Sequence, residues 1–244
     1  MTITPAHGSV TLIEIDRQPR RNALDFEHCQ QLDAAVTASI GAGARVLVLT
    51  GAGSAFCSGA DLDGVHSSEF LTALYHLLRT LVGAPVPVIA AINGPAIGAG
   101  TQLALAADLR VAGPGAVFAL PTARLGLAVD AWTLRRLTLI AGGGAARRMV
   151  LACEQLSAEQ LPALVDRGGE LSVALNWARE IAGLAPLTLA YSKRVLNDVL
   201  ESDLDPGAAA ERHAADFRAC FASADFAEGR VARAERRPPV FRGN

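Results

Sequence analysis

The sequence predicts an α/β body followed by a helical C-terminal part. Short apolar, β-branched runs alternate with helical patterns as far as residue 112, and from Trp132 onward the pattern is helical almost throughout. A further observation locates the chemistry. Two of the strands run directly into glycine-rich turns, GAGSAFCSGADL from Gly51 and INGPAIGAG from Ile92.

The elements follow in order. Val10, Leu12 and Ile15 are apolar with Thr11 and Glu14 between them, so residues 9–16 read as a half-buried strand. Pro19 to Asn22 is a turn carrying Arg20 and Arg21. Asp25 caps a helix with Leu32, Val36 and Ile40 at helical spacing, and the glycines at 41 and 43 stop it. Residues 45–50 form a strand, and a second helix is predicted to begin near Ala60. Phe70, Leu74, Leu77, Leu78 and Leu81 fall on one face of a helix over 69–82. Residues 87–92 are a buried strand, Asn93-Gly94-Pro95 a turn, and Ile97 to Gly100 the opening of an alanine-rich helix. A strand over 109–112 is followed by helices predicted at 132–141, 144–152, 157–164, 171–184, 186–200 and 207–234. RRPPVFRGN, at the end, cannot continue a helix through two prolines.

Composition narrows the function. The chain has 244 residues, 51% of them apolar, enough for one large core. A net charge of −2 argues against nucleic acid as a partner, because phosphate binding needs a basic face. No stretch reads as a signal peptide or reaches the roughly 18 apolar residues of a membrane span. Cys29, Cys57, Cys153 and Cys220 show no C-x-x-C pairing and read as buried thiols of a cytoplasmic protein. No metal site is expected: His66 and His76 lie ten apart with no carboxylate at ligand spacing.

Each glycine turn joins a strand to a helix start, where backbone N–H groups lack internal partners and face a positive dipole end. One such turn alone is most often a connector. The first is not a P-loop, and Phe56 occupies the third glycine position of G-x-G-x-x-G. Two turns of the same design are more informative, since a pair of converging N–H donors suits a developing oxyanion at about 3 kcal/mol per donor.

Taken together, these segments make the sequence resemble the crotonase, or enoyl-CoA hydratase/isomerase, family. The matching segments are RNALD from Arg21, GAGSAFCSGADL, AAINGPAIGAG, Ala107-Asp108-Leu109-Arg110 and FALPTARLGL, in family order, with KRVLN and RRPPVF in the tail. The resemblance implies a spiral of β-β-α turns and a helical C-terminal part. It divides the chain into a core over 1–185 with the CoA-binding and oxyanion turns and a trimerisation part over 186–244. It also implies a homotrimer or dimer of trimers, acyl-CoA as ligand and no further cofactor. Ala60 and Ala99 match the two oxyanion-hole donors. Ser58, Asp61 and Leu62 match residues lining CoA, and Arg20 and Arg21 sit where its nucleotide end approaches. Solvated surface charge is the other reading of the two arginines. Lys193 and Phe241 match a tail that completes a neighbouring subunit's site.

In the hydratases of this family two glutamates move the protons. Their positions here are Gln102 and Thr122. An amide cannot accept the proton of water at neutral pH, and threonine has no useful acid–base range. General acid–base catalysis contributes about 10² to 10⁴ per group, so hydration is expected to be very slow. Asp130 matches an aspartate that moves a proton in dienoyl-CoA isomerases of the family. It also stands where an N-cap is favoured, before the helix at Trp132. Glu154 and Asp166 are the other carboxylates that could reach the site. Phe70, Leu71, Leu74, Tyr75 and Leu78, with Trp132 and Leu134 opposite, are expected to wall an apolar acyl pocket; core or subunit interface is the alternative. The leading expectation is an acyl-CoA-binding protein of fatty-acid metabolism that holds or delivers a thioester without hydrating it. The alternatives are an enoyl-CoA hydratase and an isomerase using Asp130.

Overall fold

The run VLVLTG has no polar residue until its end, and it forms a strand buried on both faces, β3 (Val46–Gly51). It lies at the centre of a six-stranded sheet. The computed structural model describes residues 2–5, 9–61, 67–201, 218 and 221–240. β1 (Thr2–Pro5) pairs antiparallel with β2 (Val10–Ile15); β2, β3, β4 (Val88–Ile92), β6 (Leu109–Ala112) and β9 (Arg167–Gly168) then run parallel. A smaller sheet holds β5 (Ala96–Ile97), β7 (Val117–Ala119) and β8 (Leu156–Ser157).

The period of two in the strands splits the core. Leu47, Leu49, Val88, Ala90 and Ile92 face α1 (Phe26–Gly41), α2 (Ser68–Gly83) and α3 (Ala99–Ala106). Val46, Val48, Ile89 and Ala91 face α6 (Leu171–Ala182) through Ala174, Ala178 and Ile181. The spiral is visible in the order β4, β5, α3: a strand of the large sheet, a short strand of the small one, then a helix. β6, β7 and a 3-10 turn (Thr122–Leu125) repeat it before α4 (Ala131–Ala141) and α5 (Gly143–Val150). Asp25 caps α1, accepting from His28 N at 2.9 Å, and Asp130 caps α4, accepting from Thr133 N at 3.0 Å.

Three expectations are corrected. Residues 157–164 are not a helix: β8 pairs with β7, and a capping box at Ser157 and Gln160 then closes one 3-10 turn (Ala158–Gln160). Ala60 does not start a helix: its backbone is extended and bridges to Leu24. The long helix over 207–234 is interrupted at Ser223, which caps α8 (Ala224–Ala234); residues 202–217, 219 and 220 lie outside the described residues.

Lys193 is also placed differently from expectation. On α7 (Pro186–Glu201) it is buried inside its own chain. Its Nζ donates to Leu81 O and Val86 O at 3.0 Å each and pairs with Asp108 Oδ2 at 2.8 Å. Asn197 donates to Val82 O at 3.0 Å. The two side chains therefore satisfy the last carbonyls of α2, which wants cations at its C-terminal end. Burial holds the Lys193 ammonium below its usual pKa, opposed by the Asp108 charge. Phe241 lies outside the described residues. No described helix is long and apolar enough to cross a membrane.

Candidate active site

The two glycine turns are zipped together. Cys57 and Ala96 form a parallel bridge, with Cys57 N donating to Pro95 O at 3.1 Å and Ile97 N to Cys57 O at 2.9 Å. Contact this close needs glycine: a Cβ on Gly100 would lie 2.1 Å from Cys57 O. Gly59 adopts φ +111°, and a Cβ there would meet Ile97 O at 3.0 Å.

Side chains the sequence reading passed over hold the first turn in place. Buried Asn22, at φ 60°, donates to Ala52 O at 2.9 Å and Ala55 O at 2.8 Å and accepts from Arg17 N. Asn93 donates to Gly51 O and Gly53 O at 2.8 and 2.9 Å. Both belong to segments already singled out, RNALD and ING, but nothing local shows that an asparagine will reach across 30 or more residues.

Ala60 and Ala99 both line one cavity of about 530 Å³. Neither of their N–H groups has an acceptor among the described residues. The reasons differ. Ala99 is the first residue of α3 and has no carbonyl one turn before it. Ala60 lies between Gly59, whose carbonyl accepts from Leu24 N at 2.8 Å, and Asp61, whose N–H donates to Leu24 O at 2.6 Å. In an extended chain the residue between two such groups turns its own N–H the other way.

Arg20, Arg21, Ser58 and Asp61 also line the cavity, with Ser58 Oγ donating to Arg20 O at 3.1 Å. Leu62 lies outside the described residues. Exposed Arg124 and Arg233, which the sequence reading missed, join Arg20 and Arg21 on this wall, and Phe221 adds an aromatic ring. These three come from the 3-10 turn after β7 and from the C-terminal region, so they reach the site only through tertiary packing.

The apolar wall is narrower than expected. Phe70, Leu71, Leu74 and Tyr75 of α2 line the cavity, facing Leu125, Leu127, Ala128 and Val129. Leu78 and Trp132 do not line it, and neither does Leu134. Leu78 is buried in the core, against which Trp132 packs, and the Trp132 ring lies 5.4 Å from the Arg136 guanidinium carbon. At 100° per residue Leu78 lies on the same face as Leu71, Leu74 and Tyr75, about one turn further along α2, so position along the helix and not the face it presents separates it from the wall.

Gln102 and Thr122 both line the cavity. Gln102 Nε2 donates to Asp130 Oδ2 at 3.0 Å and to Thr133 Oγ at 2.9 Å, and Thr133 Oγ donates to Asp130 Oδ2 at 2.6 Å. Asp130 itself is not among the lining residues; it stands behind Gln102, both oxygens engaged. Among the described lining residues Asp61 is the one carboxylate, and it pairs with Arg17 at 2.9 Å. Glu154 and Asp166 are elsewhere, paired with Arg148 at 2.7 Å and Arg110 at 3.1 Å. Burial pushes the Cys57 thiol up to about 12, which keeps it protonated. Tyr75 is raised likewise, by burial first and then by the Asp130 charge.

Comparison with known proteins supports the fold and shows the family. The family model described as enoyl-CoA hydratase/isomerase matches residues 6–244. A probable enoyl-CoA hydratase of Mycobacterium leprae is 45% identical over 99% of this chain and 98% of its own length. A short-chain-enoyl-CoA hydratase of Clostridium acetobutylicum is 30% identical over 96% of this chain and 95% of its own. The structure of an enoyl-CoA hydratase/isomerase from Pseudoalteromonas atlantica superposes with a TM-score of 0.87 at 30% identity, covering 99% of each chain. A methylmalonyl-CoA decarboxylase structure shares the fold, with a TM-score of 0.92 at 23% identity over 100% of this chain and 98% of its own. With the match running from end to end and the two glycine turns in place, the chain belongs to the enoyl-CoA hydratase/isomerase, or crotonase, family.

Proposed function

We propose that this family member binds an acyl-CoA thioester and holds or delivers it without hydrating it, within fatty-acid metabolism. One observation carries the proposal: among the described residues that line the cavity with Ala60 and Ala99, the one carboxylate is Asp61, which is paired with Arg17. The thioester oxygen accepts from the Ala60 and Ala99 N–H groups. Arg20, Arg21 and Arg124 attract the CoA phosphates, Ser58 and Asp61 border the pantetheine, and Phe70, Leu71, Leu74 and Tyr75 receive the acyl chain. Gln102 and Thr122 can hydrogen-bond a ligand or water but cannot activate it. Asp130, which caps α4 and orders Gln102, serves the site from behind rather than as a proton carrier.

Assembly into a homotrimer or dimer of trimers belongs to the same proposal. Its support is the exposure of Leu187, Tyr191 and Leu196 on α7, at 85%, 60% and 67%. The free thiols of Cys29, Cys57 and Cys153 support residence in the cytoplasm.

The test measures octanoyl-CoA binding and trans-2-octenoyl-CoA hydration in one preparation. The expected result is saturable binding with turnover about 10⁴-fold or more below that of a two-glutamate hydratase. Turnover within tenfold of such an enzyme would reject the non-hydrating reading and return Asp130 to candidacy as the base.

A further inference from the structure

The Gln102 amide has only one orientation compatible with its neighbours. An ionised carboxylate accepts hydrogen bonds and donates none, so the atom 3.0 Å from Asp130 Oδ2 is the amide nitrogen. Thr133 gives its own hydroxyl proton to the same Oδ2 at 2.6 Å, so it offers the amide only a lone pair, at 2.9 Å. Two acceptors therefore hold the nitrogen. The Asp130 carboxylate is itself anchored, because its other oxygen caps α4 through Thr133 N at 3.0 Å. This leaves Oε1, which has no donor among the described residues, as the amide atom available to the cavity. Gln102 lines that cavity, whereas Asp130 and Thr133 do not.

The position of Oε1 along a ligand follows from the helix. Gln102 stands three residues after Ala99 on α3, and side chains three apart share a face and lean toward the N-terminus. Oε1 thus lies over the first turn, beside the Ala99 N–H. If that N–H holds the thioester oxygen, the acyl carbons within reach of Oε1 are the second and third.

We infer that Gln102, oriented by Asp130 and Thr133, is a polarity filter: the site favours acyl-CoA thioesters with a hydrogen-bond donor at these carbons and discriminates against those with only an acceptor there. The inference rests on the acyl-thioester reading of the site. Asp130 and Thr133 are positioning residues in this arrangement. A 2- or 3-hydroxyl donates to Oε1, while a 3-keto oxygen opposes its lone pairs, and a saturated chain leaves Oε1 without a partner.

The test is calorimetric binding to the full chain, using CoA thioesters of one eight-carbon length: octanoyl, 2-hydroxyoctanoyl, 3-hydroxyoctanoyl and 3-oxooctanoyl. One of the hydroxy ligands is expected to bind about tenfold tighter than octanoyl-CoA, and the 3-oxo ligand no tighter than octanoyl-CoA. Gln102→Met should bring the hydroxy-to-octanoyl ratio to about one. Asp130→Asn supplies an amide that can donate, lets Gln102 turn over, and should narrow the hydroxy-to-oxo ratio; loss of a helix cap alone would not change that ratio. The ligand series on the unaltered protein stands even if a variant fails to fold. Equal affinity for hydroxy and saturated ligands would overturn the filter and leave the acyl-thioester reading intact, as when a water satisfies Oε1. Failure of every ligand to bind would overturn both.

Discussion

The two glycine turns look alike in sequence and are supported in different ways. The turn at Gly98 leads into α3, so Ala99 owes its free N–H to a helix start and benefits from the helix dipole. In the turn over residues 51–61 the donor residue, Ala60, lies in extended backbone bridged to Leu24 and not at a helix start. The turn is held by Asn22, Asn93 and the bridge to Leu24, and the Ala60 N–H is free because its neighbours' groups face Leu24. One donor is thus secured by local structure and the other by contacts 30 to 42 residues away. The same chemical feature can be written locally or assembled at long range, and only the local version is readable from a window of sequence.

The largest effect should come from prying the turns apart. Gly100→Ala places a methyl 2.1 Å from Cys57 O, against backbone that cannot rotate aside. A loss of about 3 kcal/mol is expected, roughly 10 °C in Tm, with acyl-CoA affinity down about 100-fold. Gly144→Ala, where nothing lies within 4 Å, should be neutral or slightly stabilising. If thermal melts show the two variants alike, the zipped contact does not limit the site.

A smaller effect should separate the turns from each other. Asn22→Ala removes the donor to Ala52 O and Ala55 O, at a cost of about 2 kcal/mol. Hydrogen exchange should quicken across residues 51–61 and stay near its original rate across 92–100. Equal quickening in both would mean that the turns unfold as one unit and that their supports are not independent.

The smallest structural change probes the chemistry behind the second turn. Gln102→Glu sets a carboxylate against Asp130 Oδ2, where the amide now stands 3.0 Å away. Two carboxylates that close raise each other's proton affinity, so the pair keeps a proton in the folded state. With the folded pKa above the unfolded one, stability is retained below about pH 4.3 and falls as pH rises through the folded value. Melting curves between pH 4 and 8 should show the variant losing about 1 to 2 kcal/mol against the original protein toward the upper end. Hydration should stay near background, because Thr122 still supplies no second group. A gain above about 100-fold would show that a single acid at this position was all the site lacked.

The sequence by itself determined the strands with continuous β-branched runs, the caps at Asp25 and Asp130, both glycine turns, and the identities of Gln102 and Thr122. Each of these is a property of a few adjacent residues: burial on both strand faces, a side-chain oxygen next to a helix start, a turn that excludes Cβ, or a functional group that cannot take a proton. The tertiary structure decided the rest. β5, β7 and β8 are two or three residues long, too short for a period to show, and exist because they pair with one another. Leu78 and Trp132 are as apolar as the residues that line the cavity, and only packing selects which are wall and which are core. Arg124, Phe221 and Arg233 come to the site from segments far apart in the chain. The orientation of the Gln102 amide depends on Asp130 and Thr133, 28 and 31 residues further on. Composition and spacing carry no information about which of its two ends an amide shows a ligand, because that choice belongs to the hydrogen-bond partners that folding brings beside it.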